Sequence, residues 1–167
     1  MTAVMILIGS KNDWDVMREA GAELDSLGIG WQAHVASAHR SLPRTLELVR
    51  EAEAKGVRVF VCGAGMAAHL AGVVAAATVR PVIGVPLAGG VAGGLDALLS
   101  TVEMPGGVPV ATVAVGKAGA RNAAVLAAEI LALSDPELEA RLRQARADQA
   151  AAVAAADAEL AAGGGER

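Results

Sequence analysis

The 167-residue chain has no tyrosine, one phenylalanine and two tryptophans. A core with so few rings must be built from Val, Leu, Ile and abundant Ala, which lets helices sit close on a sheet. The single cysteine, Cys62, excludes an intrachain disulfide and a cysteine zinc cluster, and it suits a reducing compartment. Positive charge is not in excess: the formal net charge is -4 and the sequence pI is near 5.3. There is thus no basic footprint for a nucleic-acid backbone or an anionic membrane surface. Long apolar runs are missing too, since uncharged Leu70 to Val79 is about half of the roughly 20 residues that a membrane span needs. Met1 to Ile8 is apolar but reaches Gly9, Ser10 and Lys11 too soon for a signal peptide, so the expected location is cytoplasmic. With 54% hydrophobic and 19% charged residues the chain is not a disordered one, and its length suits a single domain with a sizeable core.

What is present is an alternation of short β-branched runs with longer helical patterns. Ala3 to Ile8, Trp31 to Ala36, Val57 to Cys62, Pro81 to Leu87 and Val108 to Val115 read as strands. Several are apolar throughout, the pattern of parallel strands covered on both faces. Trp14 to Leu27, Arg44 to Lys55, Ala67 to Thr78, Leu95 to Val102 and Ala118 to Leu133 read as helices. Gly28 and Gly56 serve as terminators, and Ser41 with Pro43 opens the second helix. Repeated βα units of this kind predict an α/β fold with a doubly wound parallel sheet. After Ser134-Asp135-Pro136 a further helix runs from Glu137 to about Leu160, ending almost as pure alanine. Residues 1–134 are therefore read as the α/β domain. Residues 135–167 are read as a C-terminal helix and tail lying on a neighbouring subunit, with Gly163 to Arg167 frayed.

Ligands of such sheets bind outside the carboxyl ends of the strands, so the loops there are where a site is expected. Gly9-Ser10-Lys11-Asn12-Asp13 opens a helix whose N–H groups suit an anion, with Ser10 and Asp13 in reach of hydroxyls or phosphate. The same residues serve equally as helix caps. Ser37-Ala38-His39-Arg40-Ser41 sets an imidazole, able to give and take a proton near neutral pH, beside a guanidinium able to grip phosphate bidentately. A solvated loop accounts for that pair as well. Gly63-Ala64-Gly65-Met66-Ala67-Ala68 has the G-x-G-x-x-A form of a dinucleotide fingerprint, but the acidic residue expected about 20 positions on is absent. These glycines are read instead as bringing backbone close to a small ligand. His69, one turn into the next helix, stays near that pocket, and His34 is read as an exposed strand residue. Gly116-Lys117-Ala118 is not a P-loop. The histidines and Cys62 lack metal-ligand spacing, and Cys62 is a buried filler.

Taken in order, Gly9-Ser10-Lys11-Asn12-Asp13-Trp14, Ser37-Ala38-His39-Arg40, Gly63 to Leu70, Val82-Ile83-Gly84-Val85-Pro86, and Leu98-Leu99-Ser100 running to Met104-Pro105 resemble the N5-carboxyaminoimidazole ribonucleotide mutases of bacterial purine synthesis. The resemblance spans Ile6 to about Leu142. It implies a three-layer flavodoxin-like sandwich with a five-stranded parallel sheet, assembled as a homo-octamer and working without metal or cofactor. It also implies an isomerase that moves a carboxylate from the exocyclic nitrogen to the ring carbon of an aminoimidazole ribonucleotide. By position, His39 matches the family's general acid-base, and Ser10, Asp13 and Arg40 match its ribose- and phosphate-binding residues. Ser37, Gly65, Ala68 and His69 match pocket-lining positions. Asn12 stands where serine is usual and is expected to hydrogen-bond phosphate, while Ala38, Ala64, Ala67 and Ala68 would form a small apolar cage. A related class, the carboxylases that use free carbon dioxide, resembles Ala-Gly-Arg-Ser-Asn after the third strand and usually Ala-His-Lys after the second. This chain has Gly63-Ala64-Gly65-Met66 and Ala38-His39-Arg40 at those places. A non-catalytic ligand-binding paralogue remains the third reading.

Overall fold

The computed structural model describes residues 2–163. Five strands, β1 (Val4–Ile8), β2 (Trp31–Val35), β3 (Val59–Gly65), β4 (Val82–Leu87) and β5 (Ala111–Thr112), alternate with helices. These are α1 (Trp14–Ser26), α2 (Leu42–Ala54), α3 (Leu70–Ala77), α4 (Leu95–Val102) and α5 (Lys117–Ala132), followed by α6 (Pro136–Ala162). The strands form one sheet in the order β2-β1-β3-β4-β5, parallel at every pairing. Order reverses between β1 and β3, so a crevice opens above their carboxyl ends.

Both faces of the sheet are covered, which is why the central strands carry no polar residues. On one face Met5 and Leu7 of β1 and Phe60 and Cys62 of β3 are buried with Leu48 and Val49 of α2 and Leu70 and Val74 of α3. On the other, α1 comes so close that a Cβ on Gly63 would lie 2.5 Å from Met17 Sδ. Arg121 of α5 pairs with Glu19 of α1 on that side. Cys62 is buried, and loss of solvent pushes its thiol far above the ordinary value, so it is a small apolar filler rather than a nucleophile.

The chain divides into two compact units between Ala128 and Glu129, inside α5. In the second unit Asp135 caps α6 by accepting from Leu138 N at 3.0 Å, Leu138 and Leu142 are buried, and Val153 and Leu160 are exposed. The fraying expected from Gly163 falls, beyond Gly163 itself, outside the described residues.

Several element boundaries differ from the sequence reading. The third strand runs on to Gly65, because Ala64 and Gly65 pair with Pro86 and Leu87 of β4; the glycine motif is strand end rather than loop. The helix expected from Ala67 starts at Leu70, since Met66 turns the chain through a left-handed φ of 57° and His69 N donates to Ala67 O. The fifth strand shrinks to Ala111–Thr112, an edge strand with one neighbour. Gly28 and Gly56, at φ of 69° and 89°, end α1 and α2 in the conformation that favours glycine.

Candidate active site

Three of the loops singled out by sequence, together with the loop after β4, converge on one cavity of about 670 Å³. Its lining includes Ser10, Asn12, Asp13, Ser37, Ala38, His39, Arg40, Gly65, Ala67 and His69. Ala68 does not belong to it: the side chain is 2% exposed and turned into the core. Gly9, Met66, Leu70, Ala88 and Gly89 line it as well, though sequence reasoning gave them no role. Ala88 and Gly89 follow β4 at the carboxyl end of the sheet, and that position was the signal available for finding them.

The β1–α1 corner is tied by its own side chains. Ser10 N donates to Asp13 Oδ2 at 2.8 Å, and Asn12 N donates to Ser10 Oγ at 3.3 Å, a reciprocal cap on a single 3-10 turn. The capping reading is met, and the cap fixes a loop that lines the cavity. Burial pushes the Asp13 carboxyl above its ordinary value, partly offset by the N–H of Ser10 and the nearby Arg40 charge.

The β2–α2 corner is likewise preorganised. Ser41, at the start of α2, makes no side-chain cap to the helix; its hydroxyl accepts from Ser37 N at 3.1 Å and donates to Ser37 O at 3.3 Å. Ser37 Oγ accepts from Arg40 N at 3.1 Å. The Arg40 guanidinium leans across the sheet end and donates from Nη2 to Gly9 O at 3.3 Å, linking the first two loops. Its Nε donates to Ser37 Oγ at 3.5 Å, and since Arg40 lines the cavity an entering phosphate would be met by a planar fork.

His39 lies at the rim, and its Nε2 is 2.8 Å from His69 Nδ1, with the rings edge to face at a centroid separation of 4.9 Å. One ring donates and the other accepts, so the contact couples the tautomers of the two imidazoles. His69, read from the sequence only as near the pocket, thus also contacts His39 directly. His34, expected to be exposed, is half-buried on the edge strand, where it lines a separate cavity with Lys11 and Trp14. Among the described residues no group of three or more His, Cys, Asp or Glu could hold a metal ion, and no helix is long and apolar enough to cross a membrane.

The sequence profile of the family described as AIR carboxylase matches residues 3–152. The chain belongs to that family. It is 48% identical over 151 residues to the N5-carboxyaminoimidazole ribonucleotide mutase of Brucella melitensis, covering 90% of this chain and 93% of that protein. It is 50% identical over 144 residues to the mutase of the same name from Saccharolobus solfataricus, covering 86% and 90%. Among solved structures, Treponema denticola PurE superposes with a TM-score of 0.87 at 27% identity, covering 96% of this chain and 99% of that one. The AIR carboxylase family and its flavodoxin-like α/β sandwich are thus established for this chain.

Proposed function

We propose that this AIR carboxylase family member is an isomerase of purine biosynthesis, converting N5-carboxyaminoimidazole ribonucleotide to 4-carboxy-5-aminoimidazole ribonucleotide in the cytoplasm. The observation that carries the reading is the His39–His69 contact of 2.8 Å, set on a cavity that Ser10, Asn12, Asp13 and Arg40 also line. Ser10, Asn12, Asp13 and Arg40 hold the ribose phosphate, and Ser37, Ala38, Gly65, Ala67 and His69 surround the base. Ala68, buried beneath, supports the wall rather than touching the ligand.

The chemistry closes on one proton. Protonated His39 gives its proton to the carbamate nitrogen as the nitrogen–carbon bond breaks; the bond's electron pair stays on nitrogen, and carbon dioxide is released. The ring carbon then attacks the carbon dioxide, and neutral His39 takes the proton from that carbon, returning to its starting state. No electron leaves the substrate, so neither oxidant nor cofactor is called for. Small walls at Ala38, Ala64 and Ala67 leave room for the gas beside the ring and limit water.

The family's own description favours a second reading, a carboxylase drawing on dissolved carbon dioxide. One experiment separates them. With labelled carbamate in buffer stripped of bicarbonate, most label should reach the ring carboxylate, and added labelled bicarbonate should enter poorly. A carboxylate drawn mainly from solvent would establish the carboxylase instead. No product from either donor would leave a ligand-binding paralogue.

We also propose a homo-octamer in which α6 lies on a neighbouring subunit. Leu95, Leu99 and Val102 are each about half exposed along α4 and Val91 is 76% exposed, an apolar stripe of the kind that monomers seldom leave open. Light scattering at micromolar concentration should report a single large species, and a monodisperse monomer would refute the assembly.

A further inference from the structure

Asp96 stands outside the loops that carry the chemistry, on the first turn of α4, yet it ties down the cavity wall supplied by β4. The chain leaves β4 at Leu87, gives Ala88 and Gly89 to the lining, and doubles back through a 3-10 turn at Val91–Gly94 before α4 begins. Asp96 Oδ2 accepts from Val91 N at 3.0 Å, and it packs so near Gly90 that a Cβ there would collide with it. The other carboxylate oxygen, Oδ1, is buried and has no hydrogen-bond partner among the described residues. Carboxylate oxygens withdrawn from water are normally met by donors, because leaving one unmet carries the full desolvation penalty.

The segment that Asp96 holds is strained as well. Ala92 adopts φ 51°, ψ 40° without being glycine, and Gly93 and Gly94 continue in the left-handed region at φ 67° and 104°. Strain of this kind persists where the surroundings over-determine it, and it concentrates at ligand clamps. An orphaned acceptor and a strained strap, one residue beyond the lining, describe a loop with a tighter arrangement still to adopt. A plain helix-end role fits less well, since α4 is capped by Gly94 with no side-chain cap hydrogen bond and Asp96 reaches back to Val91 instead.

We propose that Asp96 is a positioning residue: its Val91 contact holds the β4–α4 loop on the cavity wall, and Oδ1 accepts a further loop N–H when nucleotide is bound. The identity of the nucleotide rests on the mutase reading; the tether itself does not.

Amide hydrogen exchange over residues 89–94 combined with steady-state kinetics tests this on the full chain, with aminoimidazole ribonucleotide as the probe. In the wild type the Val91 amide should be protected without ligand, and the probe should slow exchange at a second amide of the segment by about tenfold. In Asp96→Asn the amide oxygen still accepts from Val91 N, but a donor replaces the orphaned acceptor. That variant should keep the first protection, lose the second, and raise KM for the carbamate by about tenfold with little change in melting temperature. Asp96→Ala should lose both protections; if it does not fold, Asp96→Asn decides alone. The proposal is overturned if Asp96→Asn keeps wild-type KM and probe-induced protection, or if the probe adds no protection to the wild type. Variants that melt earlier with kcat and KM within twofold of wild type would reduce Asp96 to a helix-end charge, which also overturns it. If the wild type leaves the carbamate unconverted, the mutase reading fails, and the Val91 amide in Asp96→Ala against wild type still decides the tether.

Discussion

His39→Asn should lower kcat by about 10³-fold or more while leaving affinity for aminoimidazole ribonucleotide within about tenfold, roughly 1.4 kcal/mol. The asymmetry follows from where the contacts lie. His39 sits at the rim against His69, whereas the proposed anchoring groups are the Ser10–Asp13 corner and Arg40, joined to each other through Gly9 O and untouched by the substitution. Asparagine retains a polar group of similar reach but can neither give a proton to the carbamate nitrogen nor take one from the ring carbon. Single-turnover rates beside equilibrium titration make the check. Near-normal turnover would remove His39 from the acid-base role, and a collapse of affinity would make it a binding group instead.

Arg40→Ala should behave in the opposite sense, weakening nucleotide binding by about 2 kcal/mol, near 30-fold, before the chemical step suffers. The low end of the range for a truncated charge pair applies because Arg40 is exposed in the free protein. A second effect comes through Asp13, whose carboxyl stands above its ordinary value mainly because of burial and is pulled down in part by Arg40. Without the guanidinium it rises further, so Asp13 is protonated at higher pH and the variant should lose affinity earlier than wild type on acidification. For folding the sign is separate. A raised carboxyl adds stability only while protonated, fully below its ordinary value, and that contribution is lost as pH rises through the folded value. Ionised Asp13 is therefore a strain that the site carries at neutral pH. Isothermal titration across the acid range measures both effects, and wild-type affinity in Arg40→Ala would remove the phosphate assignment.

Much of this architecture was legible because burial on both faces leaves a plain mark. The runs at Val4–Ile8 and Val82–Leu87 are entirely buried, and α4 begins and ends where its pattern said it would. What escaped depends on partners distant in sequence. Gly63-Ala64-Gly65 looks like a phosphate loop until β4 is set beside it, when Ala64 and Gly65 prove to be paired strand. Val108 to Val115 has the composition of a full strand, yet its edge position gives it only Ile83 and Gly84 to pair with. At the site, every residue picked out except Ala68 lines the cavity, since motif residues at strand ends share one crevice in this topology. Ala68 differs because Met66 and the turn at His69 rotate the chain before α3 begins. Ala88 and Gly89 escaped because neither carries a functional side chain; only their place after β4 puts them on the cavity.

The scarcity of aromatic residues also equips the protein with an optical gauge. Its two indoles, Trp14 and Trp31, lie with ring centroids 6.1 Å apart, and no tyrosine adds a background. Trp14 opens α1 directly after the Ser10–Asp13 turn, and Trp31 begins β2, its indole N–H donating to Asp25 Oδ1 at 2.8 Å. Near-ultraviolet emission and circular dichroism therefore originate from a single corner of the sheet, the one adjoining the Ser10–Asp13 turn. A spectral change on adding a ribonucleotide reports that corner alone, without a label and without deconvolution.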